Sequence, residues 1–124
     1  MINSEDILIK QIKAISKIIA KILLQKEDFV YVLPKNEADY NDYDKTFSQI
    51  MLLVEQNNFD DAEDLLFTHL YSRDVKMLQI ALTFYDVLLG KPETLLKEND
   101  FSLEEVEQGF FDVLKLYNIK ADRR

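Results

Sequence analysis

Two pairs of acids stand at a spacing that could hold a divalent cation. Asp60-x-x-Glu63 and Glu104-x-x-Glu107 each put two carboxylates about one helical turn apart. The chemistry they could serve is a Mg²⁺-dependent nucleotide hydrolysis, with Glu104 and Glu107 as the ligands. Both pairs also open helices, where the helix dipole favours acids without any metal. Nothing basic lies nearby in sequence to hold phosphates. Asp39-x-Asn41-Asp42-x-Asp44 has part of the oxygen spacing of a calcium loop. It lacks the mid-loop glycine and the late glutamate, so it reads as a solvated acidic turn. His69 is the one histidine, with no triad-like serine or aspartate context, and reads as a structural or surface residue. The chain has no Cys, which removes disulfides, thiolate zinc sites and thiol nucleophiles. Its 2 glycines cannot supply a phosphate-cradling loop. No catalytic residue, metal, cofactor or small-molecule substrate is expected.

The charge points the same way. Among 124 residues there are 15 Lys and Arg against 23 Asp and Glu, a net charge of −8. Nucleic-acid binding calls for a basic footprint, and none is expected here. The charge is uneven. Residues 1–26 hold Lys10, Lys13, Lys17, Lys21 and Lys26 against Glu5 and Asp6, which is 5 − 2 = +3. The other 98 residues hold 10 bases and 21 acids, which is −11. A basic amphipathic segment can bind an anionic membrane. Here the attached −11 would repel such a surface, and packing against the body or a second copy is the simpler reading. The lysines also break the first apolar run, so it is not a membrane span of the required ~20 apolar residues. The start Met1-Ile-Asn-Ser-Glu-Asp carries acids where a signal peptide carries positive charge, and a cytoplasmic location is expected.

These residues must sit on helices. The 2 Gly and 2 Pro are too few for the turns of an all-β domain, while 48% hydrophobic residues suffice for a core. Residues 4–26 read as a long first helix with Ser4 as N-cap. Leu8, Ile12, Ile15, Ile19 and Ile22 form its inner stripe, widened by Ile18 and Leu23. Residues 27–43 are irregular. They include either an extended piece over 28–34 or a continuation of the helix to Leu33, which Pro34 disfavours. Further helices are expected over 44–56 (Phe47, Ile50, Met51, Val54), 60–71 (Ala62, Leu66, Phe67, Leu70) and 74–89 (Leu78, Ala81, Leu82, Tyr85, Leu88). Gly90 then stands at a C′ position, with Pro92 following. The last helix carries the strongest start signal: Ser102 and Glu105 as a capping box, Phe101 and Val106 as a hydrophobic staple. Its apolar face is Val106, Phe110, Val113, Leu114 and Tyr117. Gly109 inside it costs about 1 kcal/mol against Ala, which predicts a neighbour packed close to it. The tail 120–124 is expected to fray.

The stretch from Leu53 to Phe67, with Asn57-Asn58-Phe59 at a turn, Asp60 and Asp61 after it and Ala62 opening the next helix, resembles the centre of a tetratricopeptide (TPR) repeat. A small residue at Ala62 lets paired helices approach, and Phe59 plugs the turn. A weaker copy lies 44 residues on, where Glu63, Phe67 and Leu70 fall over Glu107, Phe111 and Leu114. Phe59, Ala62, Leu66, Phe67, Val106, Phe110 and Phe111 are the structural residues of this repeat. The lysine-bearing helix over 6–24 followed by this region also resembles an uncharacterised family of short all-helical Firmicutes proteins. That resemblance implies a fold and no activity.

The expectation is one all-α domain over residues 1–124: an amphipathic helix over 1–26, then two TPR-like antiparallel hairpins over 44–118. The expected function is a non-catalytic protein-interaction module. Its partner surface is expected either beside the helices over 44–56 and 74–89 or on the first helix. A homodimer through Leu8, Ile12, Ile15 and Ile19 is the expected self-association, with Tyr40 and Tyr43 as exposed contacts. A small acidic inhibitor or immunity-type protein that neutralises a basic partner is the second expectation.

Overall fold

A computed structural model describes residues 4–121. The expected cap at Ser4 depends on side chains outside the described residues, as does the tail beyond Ala121. The chain is all-helical, with no strand among the described residues. Helix α1 (Ser4–Ile19) runs without a break into a π-helical turn, Ala20–Leu24. Then come an extended segment, a 3-10 turn (Glu37–Asp39), α2 (Asp42–Glu55), α3 (Phe59–Leu70), α4 (Val75–Leu89), α5 (Glu93–Glu98) and α6 (Leu103–Leu116).

Helix α4 is the centre. The apolar stripe of its sequence suggests one buried face, yet every residue from Met77 to Tyr85 is buried. A helix buried all round must be wrapped all round. Helix α1, the π-turn, α2, α3 and α6 all pack against it. The polar residues on this helix, Gln79 and Thr83, are spent on the extended segment 28–34, which lies across it as a strap. Tyr31 N donates to Thr83 Oγ1 (2.9 Å), Thr83 Oγ1 shares its one proton between the Gln79 carbonyl of its own helix (2.9 Å) and the Phe29 carbonyl (3.2 Å), and Gln79 Nε2 donates to the Val30 carbonyl (3.0 Å). Phe29 and Tyr31 turn into the core, and the Tyr31 ring packs 5.0 Å from that of Phe47. Of the two sequence alternatives for this segment, the extended one holds.

The first helix does not reach Lys26. Its π-turn ends at Leu24, and Gln25 takes a left-handed conformation (φ 55°) that stops the winding. The wider π-turn also shifts the register by one residue. The inward place that α-helical spacing gives Ile22 passes to Leu24, which is buried, while Ile22 is 68% exposed.

Helix α2 packs against α3, and α4 packs against α6, with α5 in the connection. The connection over residues 90–101 is no plain linker. Leu96 of α5 and Phe101 are buried in the core. Gly90 is no left-handed C′ residue; its φ is −82°, within reach of any side chain. Left-handed residues stand instead at Gln25, Asn57, Arg73, Asp100 and Asn118, and three of them, Asn57, Asp100 and Asn118, follow α2, α5 and α6. Each of these three closes its helix with two backbone bonds, such as Asn58 N to Leu53 O (2.9 Å) with Asn57 N to Val54 O (3.0 Å). Asn and Asp tolerate this conformation better than most residues, so a chain with little glycine can still turn sharply. The Ser102–Glu105 capping box forms as read, with Phe101 and Val106 both buried beside it. A second box, Asn41 with Asp44, opens α2 two residues before the position read from periodicity. That box, with the buried Asp44 also accepting a 2.5 Å bond from the Tyr31 hydroxyl, is what the apparent calcium-loop spacing is used for.

Candidate functional site

Phe59, Ala62, Leu66, Val106, Phe110 and Phe111 are buried, and Phe67 is half-buried. The Phe59 ring sits 6.0 Å from that of Phe101, sealing the turn between α2 and α3 against the start of α6. Helices α3 and α6 bury equivalent positions at the 44-residue offset: Ala62, Leu66 and Leu70 in one, Val106, Phe110 and Leu114 in the other.

The acid pairs do not gather about one point. Among the described residues no three His, Cys, Asp or Glu side chains are placed to share a metal ion. Glu63 has a partner of another kind. Its Oε2 accepts a 2.6 Å hydrogen bond from the Tyr85 hydroxyl. Burial pushes the Glu63 carboxyl up to about 6. The Tyr85 bond opposes that rise, and Glu105, Asp60 and Asp64 add to it. Asp60 is raised too, by burial and then by Glu105, Asp64, Asp100 and Asp61.

Between α2, the end of α3 and the start of α4 lies an open hollow of about 590 Å³, lined by Tyr43, Lys45, Gln49, Thr68, His69 and Asp74 among others. Its lining is mostly polar and internally bonded. Asp74 caps α4 by accepting from Met77 N (2.8 Å), and it accepts from the Tyr43 hydroxyl (2.9 Å) and Ser72 Oγ (3.1 Å). Tyr43 is therefore a half-buried anchor; Tyr40 is half-buried as well. Ser72 Oγ bonds the His69 carbonyl (3.0 Å) and Asp74.

Helix α1 is different. Its inner residues Leu8, Ile12, Ile15 and Ile19 face the body; Ile12 and Ile19 are buried and the other two half-buried. The chain's own α4 and α6 cover this face. A second copy has no access to Ile12 or Ile19 while α1 stays docked.

The apolar arc of α1 is wider than the body can cover. At about 100° per residue, Ile18 stands only about 20° round the helix from Ile7. Ile22 continues the line on the π-turn. These three isoleucines are 54%, 56% and 68% exposed, with the exposed Ala14 between the first two. Lys10, Lys17 and Lys21 project along one margin of the strip, all exposed. Lys13 lies further round, where it reaches Asp86 of α4 at 3.6 Å, a surface pair of small energetic value. No helix among the described residues is long and apolar enough to cross a membrane.

The same lysine-bearing first helix and helical body lie within residues 2–118, which match DUF6483, a family of unknown function. The chain belongs to that family. No curated protein and no solved structure matches it. Nothing known of DUF6483 therefore assigns a role to either side of α1. The outer strip escapes sequence reasoning because the period places Ile22 in the inner stripe and Ile18 beside it. The signal was present: an apolar sector of about 200° on one helix is more than a single packing face needs.

Proposed function

We propose that this protein is a non-catalytic protein-interaction module: a TPR-like helical body that offers the outer strip of α1 to a protein partner. The exposed line of Ile7, Ile18 and Ile22 carries the reading. Three large aliphatic side chains in a row on a helix are a docking surface in the making. The lysine margin sets the partner's chemistry, an apolar ridge flanked by acids. The paired helices and the shared burial register of α3 and α6 support the TPR-like description. The net charge of −8 supports a protein partner over nucleic acid, and a cytoplasmic setting is part of the same reading. Affinity capture from the native cytoplasm tests it. A partner held by the wild-type chain should be lost from Ile18→Asp. A set of captured proteins unchanged by Ile18→Asp and Ile22→Asp would overturn the reading.

One observation favours a second reading, an acidic inhibitor that neutralises a basic partner. The acids at the starts of α3 and α6 crowd one another enough to raise Asp60 and Glu63, and every charged neighbour acting on them is itself acidic. A basic partner would relieve that crowding. Capture that fades steeply between low and high salt supports this reading, and capture indifferent to salt counts against it.

A further inference from the structure

The strap over 28–34, the start of α2 and the start of α4 border a small hollow of about 270 Å³. Lys26 and Lys76 reach it from different elements, and both are exposed. Neither lysine makes an ion pair among the described residues. The Lys26 ammonium has one long hydrogen bond, 3.4 Å to Gln79 Oε1, although it carries three protons to give. The buried acceptors of the hollow are already engaged. Asp44 accepts from the Tyr31 hydroxyl (2.5 Å) and from the Asn41 N–H (2.9 Å). Gln79 faces Lys26 with its oxygen and donates its amide to the Val30 carbonyl (3.0 Å). The walls are apolar: Pro34, and the exposed side chains of Val30 and Val32.

We infer that this hollow binds an aliphatic carboxylate, with its oxygens between Lys26 and Lys76 and its chain against Val30 and Val32. Charge and size select that class. Asp44 is a fixed negative charge, held below the usual carboxylate range by the Tyr31 hydroxyl, the Asn41 N–H and Lys76. Two lysines against that one acid leave a single positive charge. One carboxylate cancels it, whereas a phosphate near its dianionic form exceeds it. At about 270 Å³ the hollow is smaller than the roughly 300–1,000 Å³ of pockets for drug-sized ligands, so it takes a group the size of a side chain and no nucleotide. Two sources share this chemistry: a free short-chain acid, and a glutamate on a protein partner.

Amide NMR spectra of the full-length chain, titrated at pH 7 with sodium butyrate, test it. Uncharged butyramide, inorganic phosphate and the blocked peptide acetyl-Gly-Glu-Gly-amide are titrated beside it. A bound carboxylate should shift the Val30, Val32 and Lys76 amides saturably, with a dissociation constant on the order of 1–10 mM. Lys26→Gln and Lys76→Gln should each weaken that binding about tenfold. Lys97→Gln, whose ammonium has its own acid in Glu93 at 3.7 Å, should leave it unchanged. So should Ile18→Asp, which separates this site from the outer strip of α1. Binding of the peptide assigns the site to a partner's glutamate, and binding of butyrate without it assigns the site to a free acid. No saturable response to either carboxylate below about 100 mM would overturn the inference. So would a response shared by butyramide, tighter binding of phosphate, or binding indifferent to both Lys26→Gln and Lys76→Gln.

Discussion

The Tyr85 hydroxyl lies 2.3 Å from the point where a Cβ on Gly109 would stand. Glu63 Oε2, to which that hydroxyl donates, lies 2.2 Å from the same point. The bare backbone of α6 is thus the floor on which a tyrosine of α4 and a glutamate of α3 meet. Three helices are joined there by one missing methyl group.

Gly109→Ala should therefore destabilise the fold by about 1–3 kcal/mol, the range of overpacking. On an exposed helix the same change would gain about 1 kcal/mol. Urea unfolding measures the sign. Tyr85→Phe removes the clashing hydroxyl, so the double variant should lose less than the sum of the two single changes.

Glu63 makes stability depend on pH in a definite direction. Its carboxyl is raised to about 6 in the folded chain against 4.5 in the ordinary state. The folded form holds the proton more firmly, so this contribution is complete below pH 4.5 and is lost as pH rises through about 6. Its size is at most about 2 kcal/mol and is reduced by solvent screening. Asp44 acts in the opposite sense. The Tyr31 hydroxyl and the Asn41 N–H hold it below the usual carboxylate range, so its contribution is lost as pH falls through that lowered value. Melting temperatures from pH 8 to pH 4 should rise toward the acid side before falling. Glu63→Gln should flatten the step between pH 7 and pH 5 and raise stability at pH 7.

The left-handed stops at Gln25 (φ 55°) and Arg73 (φ 54°) sit on residues that adopt this conformation reluctantly. Gln25→Gly and Arg73→Gly should each stabilise by about 0.5–1 kcal/mol, while Asn57→Gly should change little. Thermal unfolding of the three variants checks the order.

Thr83 ties the strap to α4 through the Tyr31 N–H and the Phe29 carbonyl. Thr83→Val leaves a buried donor without its partner and should cost about 1–3 kcal/mol. Hydrogen exchange should accelerate at the Tyr31 amide first, with the helix amides of α3 less affected.

The legible parts of the fold were those written in local chemistry. The Ser102–Glu105 box, the inner stripe of α1 through Ile19 and the close contact at Gly109 each follow from residue type and spacing alone. The missed parts depend on what a residue meets at long range. Periodicity could not show that α4 is buried on all sides, because Gln79 and Thr83 look like solvent residues until the strap lies over them. Nor could it show a π-turn, since one extra residue in a turn leaves no mark on composition. That same turn puts Ile22 outside. The periodicity therefore puts Ile18 and Ile22 on the inner side of α1, and the structure puts them on the outer side.

The outer strip of α1 is tested most directly by site-specific photo-crosslinking in the native cytoplasm. A benzophenone side chain replaces Ile18 or Ile22, with the buried Ile12 and the exposed Glu98 as controls. The account predicts one discrete crosslinked protein from positions 18 and 22 and none from 12 or 98. Equal crosslinking from position 98, or none from 18 and 22, would contradict it.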